Sequence, residues 1–339
     1  MVKIVFFELE KFGLGDKKDY VKKSLQSHEV IFIEEPLTSQ NSGKAKDAQV
    51  IACFIYSKIN EELLSSLPNL KLLVTMSTGF EHIDVSACKK REITVCNVPS
   101  YGEKTVAEHA MALLLSLTKN IVPSVERTRK GDFSLNGLRG CDLNGKIIGI
   151  LGTGKIGKNM ARYTKAFGMR VIAYDPFPDN EFAKETGISY VLFDDVLSES
   201  DVISVHVPES KETHHLINVN NVRKIKANCY LINTARGGIV ETEAILVGLK
   251  EGIFKGVGLD VLEEEFAISE EMQLLHETYH KDYDLKTLLE EHVLLRLSNV
   301  IVTPHNAFNT NEALMRILDT TVDNINAFLG KVPRNVIKG

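Results

Sequence analysis

Along the first hundred residues, unbroken apolar runs at 2–7, 30–33, 50–55, 72–74 and 95–98 alternate with polar stretches of helical period such as 16–25 and 60–67. Unbroken runs suit strands of a parallel sheet covered on both faces, and the stretches between them supply the crossovers. A small α/β domain with its own parallel sheet is expected. A second series of runs follows at 146–151, 171–175, 202–207, 230–233, 256–260 and 300–303, again with helical segments between. Residues 311–329 read as one amphipathic helix. Too little chain follows the last strand for a third domain, so this helix is expected to pack back on the first.

The second series opens with a specific pattern. The run ending at Leu151 leads into Gly152-Thr153-Gly154-Lys155-Ile156-Gly157, a helical segment to about Phe167, and a strand ending at Asp175. In such a βαβ unit Gly152 permits a tight turn, Gly154 lets backbone N–H groups approach a pyrophosphate, and Gly157 brings helix and strand together. The phosphates rest on the helix N-terminus. Asp175, at the spacing of a ribose-binding carboxylate, repels a 2′-phosphate, and Pro176-Phe177-Pro178 offers no arginine to offset this, so NAD is favoured over NADP. The bland alternative for Asp175 is a turn or helix cap.

The expected fold class is therefore α/β, two Rossmann-like domains flanking a cleft, one flavodoxin-like and one doubly wound and NAD-binding. Residues 1–101 and 305–339 form the substrate or catalytic domain and 102–304 the NAD-binding domain, with two hinge crossings. Composition agrees with a soluble globular protein at 44% hydrophobic and 25% charged residues. A net charge of -5 provides no basic surplus for nucleic acid. The acidic turn at Glu8 and Glu10 does not resemble a signal peptide, and no apolar stretch suggests a membrane role. Cys53, Cys88, Cys96, Cys141 and Cys229 form no C-x-x-C pair and read as reduced thiols of a cytoplasmic protein, with no metal expected.

Three further motifs put polar residues at strand C-termini, where open α/β sheets bind ligands. They are Asn233-Thr234-Ala235-Arg236-Gly237-Gly238, Asp260-Val261-Leu262-Glu263-Glu264-Glu265, and Pro304-His305-Asn306-Ala307-Phe308. An arginine fork binds a carboxylate in bidentate fashion, and a histidine paired with a carboxylate is an adjustable proton donor. With His206-Val207-Pro208, Thr213-His214-His215-Leu216-Ile217-Asn218 and the Thr78-Gly79-Phe80 loop, these motifs resemble those of the D-isomer-specific 2-hydroxyacid dehydrogenase family in their order along nearly the whole chain.

The resemblance implies that Arg236 holds the substrate carboxylate and polarises the C2 carbonyl, and that His305 donates the proton as hydride leaves the nicotinamide. Glu265, chosen over Glu263 and Glu264 by its spacing from Asp260, orients the imidazole and favours its protonated form. Backbone N–H groups near Thr78 and Gly79 grip the carboxylate. The NAD site implied comprises Gly152, Gly154, Lys155, Ile156, Gly157, Asp175, His206, Val207, Pro208, Thr213, Thr234, Ala235, Arg236, Asp260, His305 and Ala307.

Residues 99–102 and 304–310 look most like the D-lactate dehydrogenase branch, with Tyr101 and Phe308 walling a small apolar pocket. Tyr101 as a packed hinge residue is the alternative. Pyruvate is the expected substrate; phenylpyruvate, glyoxylate and hydroxypyruvate are the rivals, and an NAD-sensing corepressor is the rival from another class. Met76, Glu81 and Phe266 depart from the family pattern, and the loop 266–299 is long. A homodimer through Thr105 to Thr118 and the arm to Asn144 is implied by the resemblance.

Overall fold

The computed structural model describes residues 1–11, 13–265 and 284–338. It divides into two compact units, Met1–Tyr101 with Asn309–Gly339, and Gly102–Phe308.

The first unit holds five parallel strands, β1 (Lys3–Phe7), β2 (Glu29–Ile33), β3 (Val50–Cys53), β4 (Leu72–Thr75) and β5 (Thr94–Cys96), in the order β2-β1-β3-β4-β5. This is the flavodoxin-like order, reversing direction of growth between β1 and β3. Val5, Phe7, Ile51, Leu73 and Val95 pack with Leu63, Leu64, Ala87 and Cys88 from the crossover helices. The helix Asn311–Leu329 spans the residues expected of it, buries Ile317, Leu318 and Ile325, and is tied to this unit where Asn324 Nδ2 donates to the Asn97 carbonyl at 2.9 Å. Strand β3 stops at Cys53 rather than running to residue 55, because the Phe54 N–H donates to the buried Glu8 carboxylate at 3.0 Å instead of to a strand.

The second unit holds β6 (Ile147–Leu151), β7 (Arg170–Tyr174), β8 (Ser189–Tyr190), β9 (Val202–Val205), β10 (Cys229–Asn233), β11 (Phe254–Leu259) and β12 (Val300–Val302). All pair in parallel, in the order β12-β11-β10-β9-β6-β7-β8, so the sheet grows outward both ways from β6 and β9. Alternate residues serve opposite faces. Ile148, Ile150 and Ile232 pack with Ala107, Ala110, Leu114 and Met160, whereas Leu151, Ile203, Val205 and Leu231 pack with Val196, Leu197, Ile239 and Ala244. Strand β8, two residues long, is absent from the sequence expectation because so short a segment carries no period.

This unit continues to Phe308 rather than ending at 304, since the N–H groups of Asn306 and Ala307 donate to Asp260 at 3.0 and 2.8 Å. Four of the five cysteines are buried, Cys141 is half-buried, and all are free. Among the described residues no helix is long and apolar enough to cross a membrane.

Candidate active site

Two of the three fingerprint glycines occupy positions that a side chain could not share. Gly152 has φ +92°, and a Cβ on Gly157 would lie 2.0 Å from the Gly152 carbonyl oxygen. Gly154 instead faces open space and precedes the helix Lys155–Ala166, whose N-terminus has no side-chain cap. The N–H groups of Lys155, Ile156 and Gly157 open this helix and lack intrahelical partners, leaving donors and the positive end of the helix dipole for an anion. Lys155 Nζ lies 3.3 Å from Glu103.

Asp175 follows β7 beside this turn. Its Oδ2 accepts from Thr153 N at 2.7 Å and Thr153 Oγ1 at 3.0 Å, and its Oδ1 accepts from Phe177 N at 2.9 Å. Part of the capping alternative is thus realised, in that Asp175 organises both turns around it.

Across the switch point, His206 N donates to the Leu151 carbonyl at 2.7 Å, seating the loop after β9 against the fingerprint. The His206 ring shares a 2.8 Å bond with Ser204 Oγ, and burial pushes its pKa down to about 4, so it is neutral near pH 7. Val207 lies outside β9, contrary to expectation, and is buried. Pro208 ends its loop through a 2.6 Å bond from Thr213 Oγ1 to the Pro208 carbonyl.

After β10, the fully buried Asn233 accepts from Ala235 N at 3.0 Å and donates to the Arg236 carbonyl at 2.9 Å, winding the backbone into a turn that presents Arg236. Arg236 Nη1 donates to the Ala235 carbonyl at 2.8 Å. Gly237 lies against the Leu262–Glu263 peptide, where a Cβ would approach the backbone to 2.1 Å. The arginine loop and the acidic segment are therefore in backbone contact.

Asp260, at the end of β11 and 1% exposed, organises the histidine loop. It accepts from Thr303 Oγ1, from the N–H groups of Asn306 and Ala307, and lies 3.5 Å from His109 Nε2. Burial raises its pKa against these favourable partners. His305 sits at φ +50°, a left-handed conformation that disfavours a side chain by about 1–2 kcal/mol. Its Nδ1 is 3.0 and 3.2 Å from the two Glu265 oxygens. That pairing fixes the ring through Nδ1 and leaves Nε2 outside it.

The acidic run is not a solvated face. Glu263 binds His215 Nε2 at 2.6 Å and accepts from Thr242 N at 2.6 Å, Glu264 accepts from Asp284 N at 3.4 Å, and Glu265 holds His305. The Glu264 N–H in turn donates to buried Glu291 at 3.1 Å, whose pKa burial raises to about 7. His109 and Glu291 were missed in the sequence, and so were the pairings of His215 with Glu263 and of Thr303 with Asp260, whose members stand in separate motifs.

In the first unit, Thr78 Oγ1 donates to the Val98 carbonyl at 2.8 Å, and the Gly79 carbonyl accepts from Ser77 Oγ at 2.7 Å. The N–H groups of Thr78 and Gly79 donate no hydrogen bond among the described residues. Met76 is buried and Glu81 exposed. The Tyr101 carbonyl accepts from Arg316 Nε at 2.6 Å, and Tyr101 and Phe308 are half-buried. Phe266 and the segment 270–275 lie outside the described residues, while the far end of the long loop forms the helix Leu285–Leu294.

The chain fits a dinucleotide by more than its glycines. Thr234 Oγ1 and Asn306 Oδ1, at the C-terminal ends of β10 and β12, are buried without a partner among the described residues.

Residues 111–307 match the family described as D-isomer specific 2-hydroxyacid dehydrogenase, NAD binding domain. A 2-hydroxyacid dehydrogenase homolog of Zymomonas mobilis is 39% identical over 324 residues, covering 93% of this chain and 96% of that protein. The D-lactate dehydrogenase of Escherichia coli is 35% identical, covering 93% and 95%. The crystal structure of D-lactate dehydrogenase from Aquifex aeolicus complexed with NAD and lactic acid has a TM-score of 0.84 at 37% identity, covering 97% of this chain and 96% of that one. Nothing in these relatives supports the corepressor reading.

Proposed function

The chain belongs to the D-isomer-specific 2-hydroxyacid dehydrogenase family, an NAD-dependent oxidoreductase acting on a CH–OH group, and on that premise we propose that its substrate pair is pyruvate and D-lactate. When bound, NADH supplies the hydride. Arg236 binds the substrate carboxylate through its fork and draws electron density from the C2 carbonyl. His305 donates a proton from Nε2 to the carbonyl oxygen, and in the reverse direction removes it from the hydroxyl. Glu265 holds that ring and balances its charge. The observation that carries these roles is the bond of His305 Nδ1 to both Glu265 oxygens, which makes Nε2 the nitrogen available for chemistry.

The N–H groups of Thr78 and Gly79, which donate no hydrogen bond among the described residues, support assigning them to carboxylate recognition. Tyr101 and Phe308 are each proposed to contact the substrate's side chain, with a methyl group preferred. The fingerprint residues 152–157, with Asp175, 206–208, Thr213, Thr234, Ala235, Asp260 and Ala307, are proposed to line or shape the NAD site. The test is NADH oxidation with pyruvate, 2-ketobutyrate, phenylpyruvate, glyoxylate, hydroxypyruvate and oxaloacetate at equal concentration. Highest kcat/KM on pyruvate supports the assignment, and a preference for phenylpyruvate or glyoxylate overturns it.

Two coarser features complete the reading. The buried apolar residues between Thr105 and Thr118 pack within their own unit, so the support for a homodimer, with a second copy as the occupant, comes from the arm that follows, where Ile121, Val122, Val125, Phe133 and Leu135 are exposed. The free cysteines support a cytoplasmic location.

A further inference from the structure

Asp175 does not stand alone. A carboxylate offers about four acceptor positions, and three are taken by Thr153 N, Thr153 Oγ1 and Phe177 N. Thr153 has one hydroxyl proton, and because Asp175 can only accept, that proton is committed to Oδ2. The 2.9 Å contact between Thr153 Oγ1 and Tyr190 OH must then run from the tyrosine, giving a directed chain of donors from Tyr190 through Thr153 to Asp175. Strand β8 places Tyr190 there by pairing it with Ala173, two residues before Asp175. Thr153 is 5% exposed, so water competes poorly for its bond.

We infer that Thr153 and Tyr190 are positioning residues that set the choice between NAD and NADP, by locking the Asp175 carboxylate so that it cannot swing aside for a 2′-phosphate. The inference rests on reading Asp175 as the ribose-facing carboxylate. One acceptor position, on Oδ1, remains for a ribose hydroxyl, which can donate to it. A 2′-phosphate presents negative oxygens to the same place and is repelled. A carboxylate free to change rotamer would relieve that repulsion, and the chain of donors removes this freedom. Discrimination therefore depends on two neutral hydroxyls, one of them on an edge strand that carries no part of the glycine fingerprint.

The experiment is fluorescence titration of the whole protein with NADH and NADPH, for wild type, Thr153→Val, Thr153→Ser, Tyr190→Phe and Asp175→Ala. The ratio of the two dissociation constants is the readout, since a loss of fold stability moves both together. Thr153→Val should lower the NADPH-to-NADH ratio about tenfold, the scale of one hydrogen bond to a charged group, and Tyr190→Phe about threefold. Thr153→Ser, which keeps the hydroxyl, should retain the wild-type ratio. If Asp175→Ala collapses the ratio while Thr153→Val and Tyr190→Phe leave it within twofold, the positioning role is overturned and Asp175 acts unaided. If Asp175→Ala leaves the ratio unchanged, the ribose reading fails and the inference with it. Should Thr153→Val not fold, Tyr190→Phe decides the question alone.

Discussion

His305 holds a left-handed backbone conformation next to a fully buried carboxylate, and the two facts belong together. Asp260 draws the N–H groups of Asn306 and Ala307 inward, which turns the preceding residue outward and sets its ring against Glu265. His305→Asn should lower kcat by about 10²–10⁴-fold, the range for loss of a general acid, with NADH affinity within a few fold of wild type. A kcat within tenfold, measured in single turnover with pyruvate, would remove His305 from the proton transfer. Arg236→Lys keeps the charge but loses the bidentate fork, and should cost about 10–100-fold in kcat/KM. Both residues were legible because each sits in a contiguous motif. The Glu263–His215 pair was not, since its members belong to two motifs 48 positions apart and neither motif points to the other.

Elements place these residues through their ends. Gly157→Ala would push a methyl group into the Gly152 carbonyl, and overpacking of this kind costs about 1–3 kcal/mol. The expected outcome is a lower melting temperature together with weaker NADH binding, and unchanged binding would deny this close approach a role in shaping the phosphate turn. The helix Leu285–Leu294 acts at a different point, where its Glu291 accepts the N–H of Glu264, next to Glu265. Burial raises the Glu291 pKa from 4.5 to about 7. Between these values the folded chain retains a proton that the unfolded chain has released, so this group's contribution to stability falls as pH rises from about 4.5 to 7 and is level above. Glu291→Gln removes the effect. Its melting temperature relative to wild type should therefore increase from pH 5 to pH 8, and a flat or falling difference would contradict the buried-proton account. Long strands were legible as unbroken apolar runs and the last helix from its period, whereas β8 and the end of β3 were not. An edge strand of two residues has no pattern, and β3 ends on the side chain of Glu8, the residue after β1.

On the scale of the whole molecule, both sheets are parallel and each reverses its order once, between β1 and β3 and between β6 and β9. The fingerprint and the His206 loop meet at the second reversal, where an open α/β sheet leaves a crevice for a ligand. Alternating strands and helices announced two such units, but not the order of their strands, which depends on pairings between segments far apart in sequence. The exposed apolar arm predicts a dimeric mass by light scattering at micromolar concentration, and Val125→Asp with Leu135→Asp should yield monomers. A monomeric wild type would reject the homodimer.

The central claim, NAD-dependent chemistry on a D-hydroxy acid of pyruvate size, is tested most directly by the rate of NADH formation from NAD with D-lactate and with L-lactate at equal concentrations. The account predicts turnover of D-lactate, at least a hundredfold slower turnover of L-lactate (about 2.7 kcal/mol of discrimination), and loss of the D-lactate rate in His305→Asn. Comparable rates with both isomers, or oxidation of neither, would contradict it.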